Sequence, residues 1–467
     1  MREKRSIQDE LFDAQYQGVQ FAVHPKNPLV AELGAISELL DALPESLDWA
    51  GADLGAAVHS TTGRRPTATV EQVLRSALLM QLRGLPYRRL AEEIDANPLY
   101  RQFTRFYGRA IPHFGTLNDL IKRISPETLR RIHEAGLRLA QAKKIENGAA
   151  IRHDASVTET DIAHPVDANL LEDSVRVLTR HLRRLREAAP ELALAFHDHT
   201  RAAKKRAYAI VMAKGPKVEE RRRDQYVLLL DTQAQTRGYA AAALAALAAK
   251  PSVAARFDVL AEAGALEHYL PLADGVHDQA HRRVLGGEKV PAGEKIVSIF
   301  EPHTSIICRG KQGGQTEFGH KFAVATGRSG MITWYEVLEG NPGDNEVLPR
   351  ALEDHKRLFG RAPKRVTADR RYHSAENERK AAEAGVQEVA LPKPGRLSEV
   401  RRALQRAPWF RRLLRWRAGI EGNLSTLLRS FGLKRCLWEG WESFKAYIGW
   451  GVLAYNLRLM AGHLLHA

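Results

Sequence analysis

Apolar residues recur at helical spacing from Val70. Val70, Val73, Leu74, Ala77, Leu78 and Leu82 fall on one face of a helix, which Gly84-Leu85-Pro86 ends. A second helix is predicted over Tyr87–Ile94. Asn97-Pro98 separates it from a third piece at Leu99–Phe106. Residues Ile111–Thr116 read as a turn and cap, Leu117–Ile124 as helix, and Ser125-Pro126-Glu127 restarts a helix with proline at its first position. Residues 65–147 are therefore predicted to be an all-helical domain. Residues 1–64 form a lead-in with one short helix around Leu29–Leu43. The pattern leaves a DNA-reading helix-turn-helix and a plain helical bundle equally open for the helical domain, and we take it as DNA-binding.

At Gly148 the period shortens. Residues Ala149–Ile162 are rich in β-branched side chains and read as a strand. Helical patterns then run from Leu170 to Leu285, including the alanine-rich stretch Tyr239–Lys250. Strands are predicted at Lys295–Phe300, Glu317–Thr326, Met331–Leu338, Lys364–Ala368 and Gln387–Leu391. Helices fall at Asn345–Phe359, Ala375–Ala384 and from Leu397 to the end. With a helical insertion at about 175–290 set aside, residues 148–467 give a strand meander followed by alternating strand and helix. That order suits an α/β fold, a mixed sheet with helices on its faces.

Charge narrows the class. The chain has 467 residues, with 70 Lys+Arg against 55 Asp+Glu, a net charge of +15. Such an excess points to a polyanionic partner, with nucleic acid as the first expectation and an anionic membrane surface as the other. Apolar residues at 44% are enough to build real cores, which excludes wholesale disorder. No run of about 18 uncharged apolar residues is present, so no transmembrane helix is expected. The charged start Met1–Glu10 does not read as a signal peptide. Two cysteines, Cys308 and Cys436, cannot form a disulfide scaffold. The expectation is a soluble, intracellular, multidomain protein.

Three carboxylates stand out. Asp154 lies inside the first strand of the sheet, where a charge is unfavourable unless it is paired or bound to a cation. Asp369 directly follows the strand Lys364–Ala368, at the end where sheets of this kind gather ligands. Glu421 is the only acidic residue between Arg401 and Arg435, a stretch with ten Lys/Arg. Each has an ordinary reading as well: an edge hydrogen-bonder, a turn cap and a surface ion pair. In this order, on these elements, they suit metal-assisted phosphoryl transfer. Mg²⁺ takes a few hard carboxylate oxygens and substrate phosphates, and two such ions can activate one oxygen and stabilise another. The surrounding arginines would bind DNA phosphates.

These residues carry a resemblance. Arg152-His-Asp-Ala-Ser-Val-Thr-Glu-Thr160 and the segment Ile162–Leu171, Val366-Thr-Ala-Asp-Arg-Arg-Tyr-His-Ser374, Leu391-Pro-Lys-Pro-Gly395, and Arg417-Ala-Gly-Ile-Glu421 with Leu428–Leu433 and Asn456 resemble the motifs of a DDE transposase of a bacterial insertion sequence. The similarity spans roughly residues 65–460, and the family's fold is ribonuclease-H-like with a helical N-terminal domain. The glutamate helix of the family often reads Tyr, two residues, Arg, three residues, Glu, six residues, Lys. Arg417 and Glu421 match; Leu414 and Leu428 stand in the Tyr and Lys positions, and Arg371 stands where Gly is common. Arg429, next to Leu428, is expected to supply the missing phosphate contact.

The resemblance implies that Asp154, Asp369 and Glu421 are the catalytic and metal-binding triad, with Mg²⁺ as cofactor and Mn²⁺ able to substitute. Arg417 would orient Glu421 or touch DNA, and Arg415, Arg429, Lys434 and Arg435 would join it on DNA. The implied reaction is endonucleolytic nicking at the element's ends and attack of the freed 3′-OH on target DNA. The implied partners are terminal inverted repeats and target DNA, and a homodimer or higher oligomer that joins two ends. No membrane is involved, and the implied location is the cytoplasm, on the nucleoid when DNA is bound. Two other readings stand beside it: an inactive or repurposed DNA-binding protein of the same fold, and a structure-specific nuclease that cuts without joining.

The remaining features weigh less. Glu301, Glu317 and His320 are second-rank candidates, to support the site or contact DNA. His197-Asp198-His199 lacks further ligands nearby. Gly313-Gly314 reads as a turn, since no Lys-Ser/Thr follows at phosphate-loop spacing. Trp409, Trp416, Trp438, Trp441 and Trp450 read mostly as packing residues, with one near Arg415 and Arg417 able to stack on a base. The basic clusters at 183–186, 204–206 and 221–223 are read as tracking DNA rather than as a merely solvated face.

Overall fold

The structure is a computed structural model, which describes residue 4 and residues 27–56, 68–308 and 316–466. The glycine pair at 313–314 and most of the expected lead-in lie outside the described residues. The chain divides into two compact units, residues 1–159 with 320–467, and residues 160–319.

The first unit begins with helices α1 (Pro28–Asp41) and α2 (Glu45–Ala56). One helix was expected there. Pro44 opens a new one, and Leu33, Ile36, Leu39 and Leu54 are buried in the same core as the helices that follow. Helices α3 (Val70–Arg83), α4 (Tyr87–Ala96), α5 (Pro98–Phe103), α6 (Phe114–Lys122) and α7 (Pro126–Ala142) come next, close to the predicted places. A reciprocal cap starts α3: Gln72 N–H donates to Thr69 Oγ1 at 3.2 Å, and Thr69 N–H to Gln72 Oε1 at 2.9 Å. Gly84 ends it at φ 63°, a left-handed position that suits glycine.

The second unit carries the helical insertion: α8 (Asp167–Ala188), α9 (Thr200–Met212), α10 (Val218–Ala248), α11 (Pro251–Ala254) and α12 (Phe257–Ala280). It has its own core, with Leu171, Val175, Leu229, Leu230 and Val276 in one cluster and Leu178, Leu182, Leu247 and Leu266 in another. The strand expected at Lys295–Phe300 does not form. Ile299 is buried among the insertion helices, and the Gln279 side chain bonds both the N–H (2.8 Å) and the C=O (3.0 Å) of Ile296 in place of a neighbouring strand. The strand of this region, β2 (Ser305–Cys308), instead pairs antiparallel with residues 316–319.

The remaining strands are β1 (Ala150–Thr160), β3 (Thr316–Thr326), β4 (Ile332–Val337), β5 (Arg365–Thr367), β6 (Glu388–Ala390) and the two-residue β7 (Arg435–Cys436). β7 was missed, since a two-residue strand has no periodicity to read. The central order is β4-β3-β1-β5-β6, with β7 on β1. β3 and β4 are antiparallel, with Phe322 opposite Val337. β1 and β5 are parallel, with Arg152 opposite Thr367, and β5 and β6 are parallel. This is the α/β, ribonuclease-H-like arrangement: a meander on one side of the first strand and two parallel strands on the other.

Helices α13 (Val347–Phe359) and α14 (Ala375–Glu383) connect the later strands, and α15 (Glu399–Arg406), α16 (Pro408–Ala418), α17 (Ile420–Ser430) and α18 (Trp441–Leu465) follow. α18 is buried on nearly every side. It packs on α1, α3, α7 and β4, so the helices before the sheet and the helix after it share one core. No helix among the described residues is long and apolar enough to cross a membrane.

Candidate active site

Asp154 is the fifth residue of β1, beyond the last position paired with β5. Continuing the register from Arg152–Thr367 puts Asp154 opposite Asp369, each two residues further along adjacent parallel strands. Asp369 caps a short 3₁₀ turn, where its Oδ1 accepts from Arg371 N–H at 2.8 Å. Glu421 comes from a third element, the first turn of α17. The three predicted carboxylates therefore arrive from a strand, a strand end and a helix.

Arg417 lies between two of them. Its Nη1 is 3.4 Å from Asp154 Oδ2, and its Nη2 is 3.5 Å from Glu421 Oε1. Asp154 is 19% exposed, whereas Glu421 is 71% exposed. Burial pushes the Asp154 carboxyl up to about 6. The Ala155 N–H and Arg417 oppose the rise, and the charges of Asp369 and Glu421 add to it. Tyr372, three residues after Asp369, is fully buried. Its hydroxyl is held well above the ordinary tyrosine range, first by burial and then by Asp344, Asp154 and Asp369.

The donor set is one of hard oxygens, and a shared negative field surrounds a half-buried carboxyl. Both suit a divalent cation. Among the described residues no three His, Cys, Asp or Glu side chains converge closely enough to hold a metal ion. The guanidinium of Arg417 sits where charge is needed between Asp154 and Glu421.

Arg152 is a residue the sequence analysis passed over. It is two positions before Asp154, on the same side of β1, and only 7% exposed. Its Nε donates to Thr326 Oγ1 (2.9 Å), its Nη1 to the Trp416 carbonyl (2.6 Å) and its Nη2 to Asn423 Oδ1 (2.7 Å). Its guanidinium also lies 5.1 Å from the centre of the Trp416 ring. One side chain thus ties the Asp154 strand to the end of α16 and the first turns of α17, the elements that carry Arg417 and Glu421. Gly419 makes room for it, since a Cβ there would come within 2.5 Å of Arg152 Nη1. The available signal was a lone cation alternating with Asp154 on a buried strand.

The other candidates scatter. Arg415, Arg429, Lys434 and Arg435 are exposed on the surface of the first unit, with Arg435 3.4 Å from Glu159. His320 is buried on β3 against Trp441 (4.5 Å) and Phe444 (5.0 Å), in apolar packing. Glu301 and Glu317 belong to the second unit. Glu301 there pairs with His303 at 2.6 Å. In the 197–199 triplet, Asp198 accepts from Thr200 N–H (2.9 Å) and pairs with Arg183. His153, next to Asp154, is fully buried between Trp334 and Tyr372, and burial pushes its imidazole down to about 3. Asn456, quoted in the glutamate-helix motif, bonds both backbone groups of Ile332 instead. Of the five tryptophans, Trp450 and Trp438 are buried, and only Trp416 lies beside the acidic cluster.

Residues 295–457 match the family described as Transposase DDE domain, and residues 29–123 match the family described as Transposase domain (DUF772). Asp369 and Glu421 fall inside the first match, and Asp154 precedes it. No curated protein and no solved structure matches the chain.

Proposed function

We propose that this chain, which belongs to the DDE transposases of insertion-sequence type and so has DNA as its partner, cuts DNA at the ends of its element and joins the freed 3′-OH to target DNA. The reading rests on one observation: Asp369 and Glu421, from two other elements, both act electrostatically on Asp154, and Arg417 reaches Asp154 and Glu421.

In this reading Asp154, Asp369 and Glu421 hold the divalent metal that the family uses, Mg²⁺ by preference with Mn²⁺ in its place. A cation bound there supplies Lewis-acid activation of the attacking oxygen and neutralises charge on the transferring phosphate. Asp154 and Asp369 are fixed by the sheet. Glu421 is exposed and joins them by leaving its long contact with Arg417. Arg417, so released, turns to a DNA phosphate. Arg415, Arg429, Lys434 and Arg435 extend the phosphate contacts. Residues 65–147 serve as the helical DNA-binding domain, with residues 1–64 as its lead-in and 148–467 as the catalytic domain. Two copies or more hold two ends, in the cytoplasm where the DNA is.

The test is nicking of DNA that carries the native element ends, with Mg²⁺ or Mn²⁺. Wild type is compared with Glu421→Gln and Asp154→Ala. Cutting by wild type alone supports the site, and a strand-joining assay then separates a transposase from a nuclease. Equal cutting by Asp154→Ala would show the assignment to be wrong. The second reading, a DNA-binding protein without chemistry, draws on the ion pairs that Arg417 makes with Asp154 and Glu421. End binding with no cutting at any metal concentration decides for it.

A further inference from the structure

The insertion is electrically lopsided. From Arg176 to Arg223 it has 14 Lys/Arg against 5 Asp/Glu, and from Asp224 to Asp278 it has 3 against 7. The basic half builds a groove of about 650 Å³ between α8 and α9. Arg176, Thr179, Arg180 and Arg183 line it from α8 and Arg201 and Lys204 from α9, with the carboxylates of Glu172 and Asp173 at its margin and Glu172 in the field of Lys204. Arg176 pairs with Asp173 and Arg183 with Asp198. Among the described residues, no carboxylate lies within ion-pair reach of Arg180, Arg201 or Lys204, and all three are exposed.

Two further features of the groove point to an anion. The first is Thr179, 1% exposed, whose Oγ1 has no hydrogen-bond partner. Within α10, Thr232 and Thr236 bond the carbonyl one turn back, Thr232 to Leu228 (2.8 Å) and Thr236 to Thr232 (3.0 Å). Thr179 leaves a buried hydroxyl at the groove wall instead. The second is the start of α9. Its first turn contains Arg201 and no acidic residue; Asp198, just before it, takes the Thr200 N–H at 2.9 Å and leaves the next N–H groups of the turn for a ligand. Cations at the positive end of a helix are unfavourable, and a bound anion reverses that.

We infer that this groove binds the phosphate backbone of double-stranded DNA. Arg180, Arg201 and Lys204 supply charge, the first turn of α9 beyond Thr200 supplies N–H groups and Thr179 supplies one hydroxyl donor. The inference rests on the transposase reading for the identity of the polyanion. It gives the insertion a grip on DNA of its own.

The experiment uses the full-length protein and a short duplex of arbitrary sequence, titrated with salt. The triple variant Arg180→Gln, Arg201→Gln, Lys204→Gln is expected to lower the log–log salt slope by about 2.7, at about 0.9 per phosphate contact, and to weaken binding about 500-fold near 0.1 M salt. Thr179→Val is expected to weaken binding several-fold with the salt slope kept. Its unfolding midpoint should not fall, because the hydroxyl removed has no partner to lose. An unchanged slope in the triple variant overturns the inference, as does a loss confined to binding of phosphatidylserine vesicles. Metal-dependent nicking of end DNA by wild type, run beside it, separates the failures. Nicking with an unchanged variant slope sinks the groove alone. Neither binding nor nicking by wild type sinks the groove and the transposase reading together.

Discussion

Replacing Asp154 by asparagine should stabilise the metal-free protein. Burial, reinforced by Asp369 and Glu421, lifts the Asp154 carboxyl from 3.8 to about 6. The folded state therefore binds this proton more tightly than the unfolded chain. Above the folded pKa the carboxylate is charged in both states, and the folded state bears the cost. A shift of about 2 units at 1.36 kcal/mol each makes that cost about 3 kcal/mol. Asparagine keeps the shape and can still accept from the Ala155 N–H, which Asp154 Oδ1 does at 2.8 Å. The gain from Asp154→Asn should thus be about 3 kcal/mol near pH 8. It should shrink between about pH 6 and pH 4, and vanish where aspartate is protonated in both states. The assay is urea unfolding in chelator, followed by tryptophan fluorescence at about pH 8 and pH 4.5. All seven tryptophans lie in the unit that contains Asp154, so the signal reports on the right part of the molecule. Added Mg²⁺ should raise the wild-type midpoint and leave the variant unmoved. Destabilisation near pH 8, or an equal gain at both pH values, would refute the reasoning.

Three further predictions concern the frame around the site. Arg152→Ala should cost about 2–4 kcal/mol in the same urea assay, because it removes the donor held by the buried Thr326 hydroxyl and the half-buried Asn423 amide oxygen, while the Trp416 carbonyl keeps the Gly419 N–H at 3.2 Å. Arg152→Lys should recover part of that stability but little nicking, since one ammonium cannot reach three acceptors in a fork. Gly419→Ala should cost about 1–3 kcal/mol through its clash with Arg152, and in the Arg152→Ala background the cost should nearly disappear, a coupling that a double-mutant cycle reads directly. Asn456→Ala should cost about 1–3 kcal/mol, because the Ile332 N–H (2.9 Å) loses its buried acceptor while the Ile332 C=O keeps the His133 Nε2 donor at 2.9 Å; a loss below about 0.5 kcal/mol would mean that water replaces the amide.

Much of the architecture could be read along the chain, because its elements are amphipathic and alternate in type. The helices of 70–142 and the strands β1, β3, β4, β5 and β6 carry their own periodicity. Their order alone implied a meander followed by alternating strand and helix in a mixed sheet. Reading failed where an element is defined by its surroundings. The run Lys295–Phe300 has a strand's composition, but Gln279 takes up its backbone groups. β7 is too short to have a pattern. The second N-terminal helix follows a proline that was not read as a restart.

The site divides in the same way. Three carboxylates on separate elements stood out by their chemistry, since a charge in a strand or alone in a basic helix is conspicuous in one dimension. Sequence by itself thus determined most of the helices and strands and the fold class, and it singled out the acidic residues proposed for the site. Only the tertiary structure decided that the parallel pairing of β1 and β5 brings Asp369 into the electrostatic field of Asp154, that Arg417 bridges Asp154 and Glu421, and that Arg152 locks strand to helix through the gap at Gly419. Those facts depend on distances between residues that lie hundreds of positions apart. Periodicity records which face of an element is buried, and it does not record which partner covers that face.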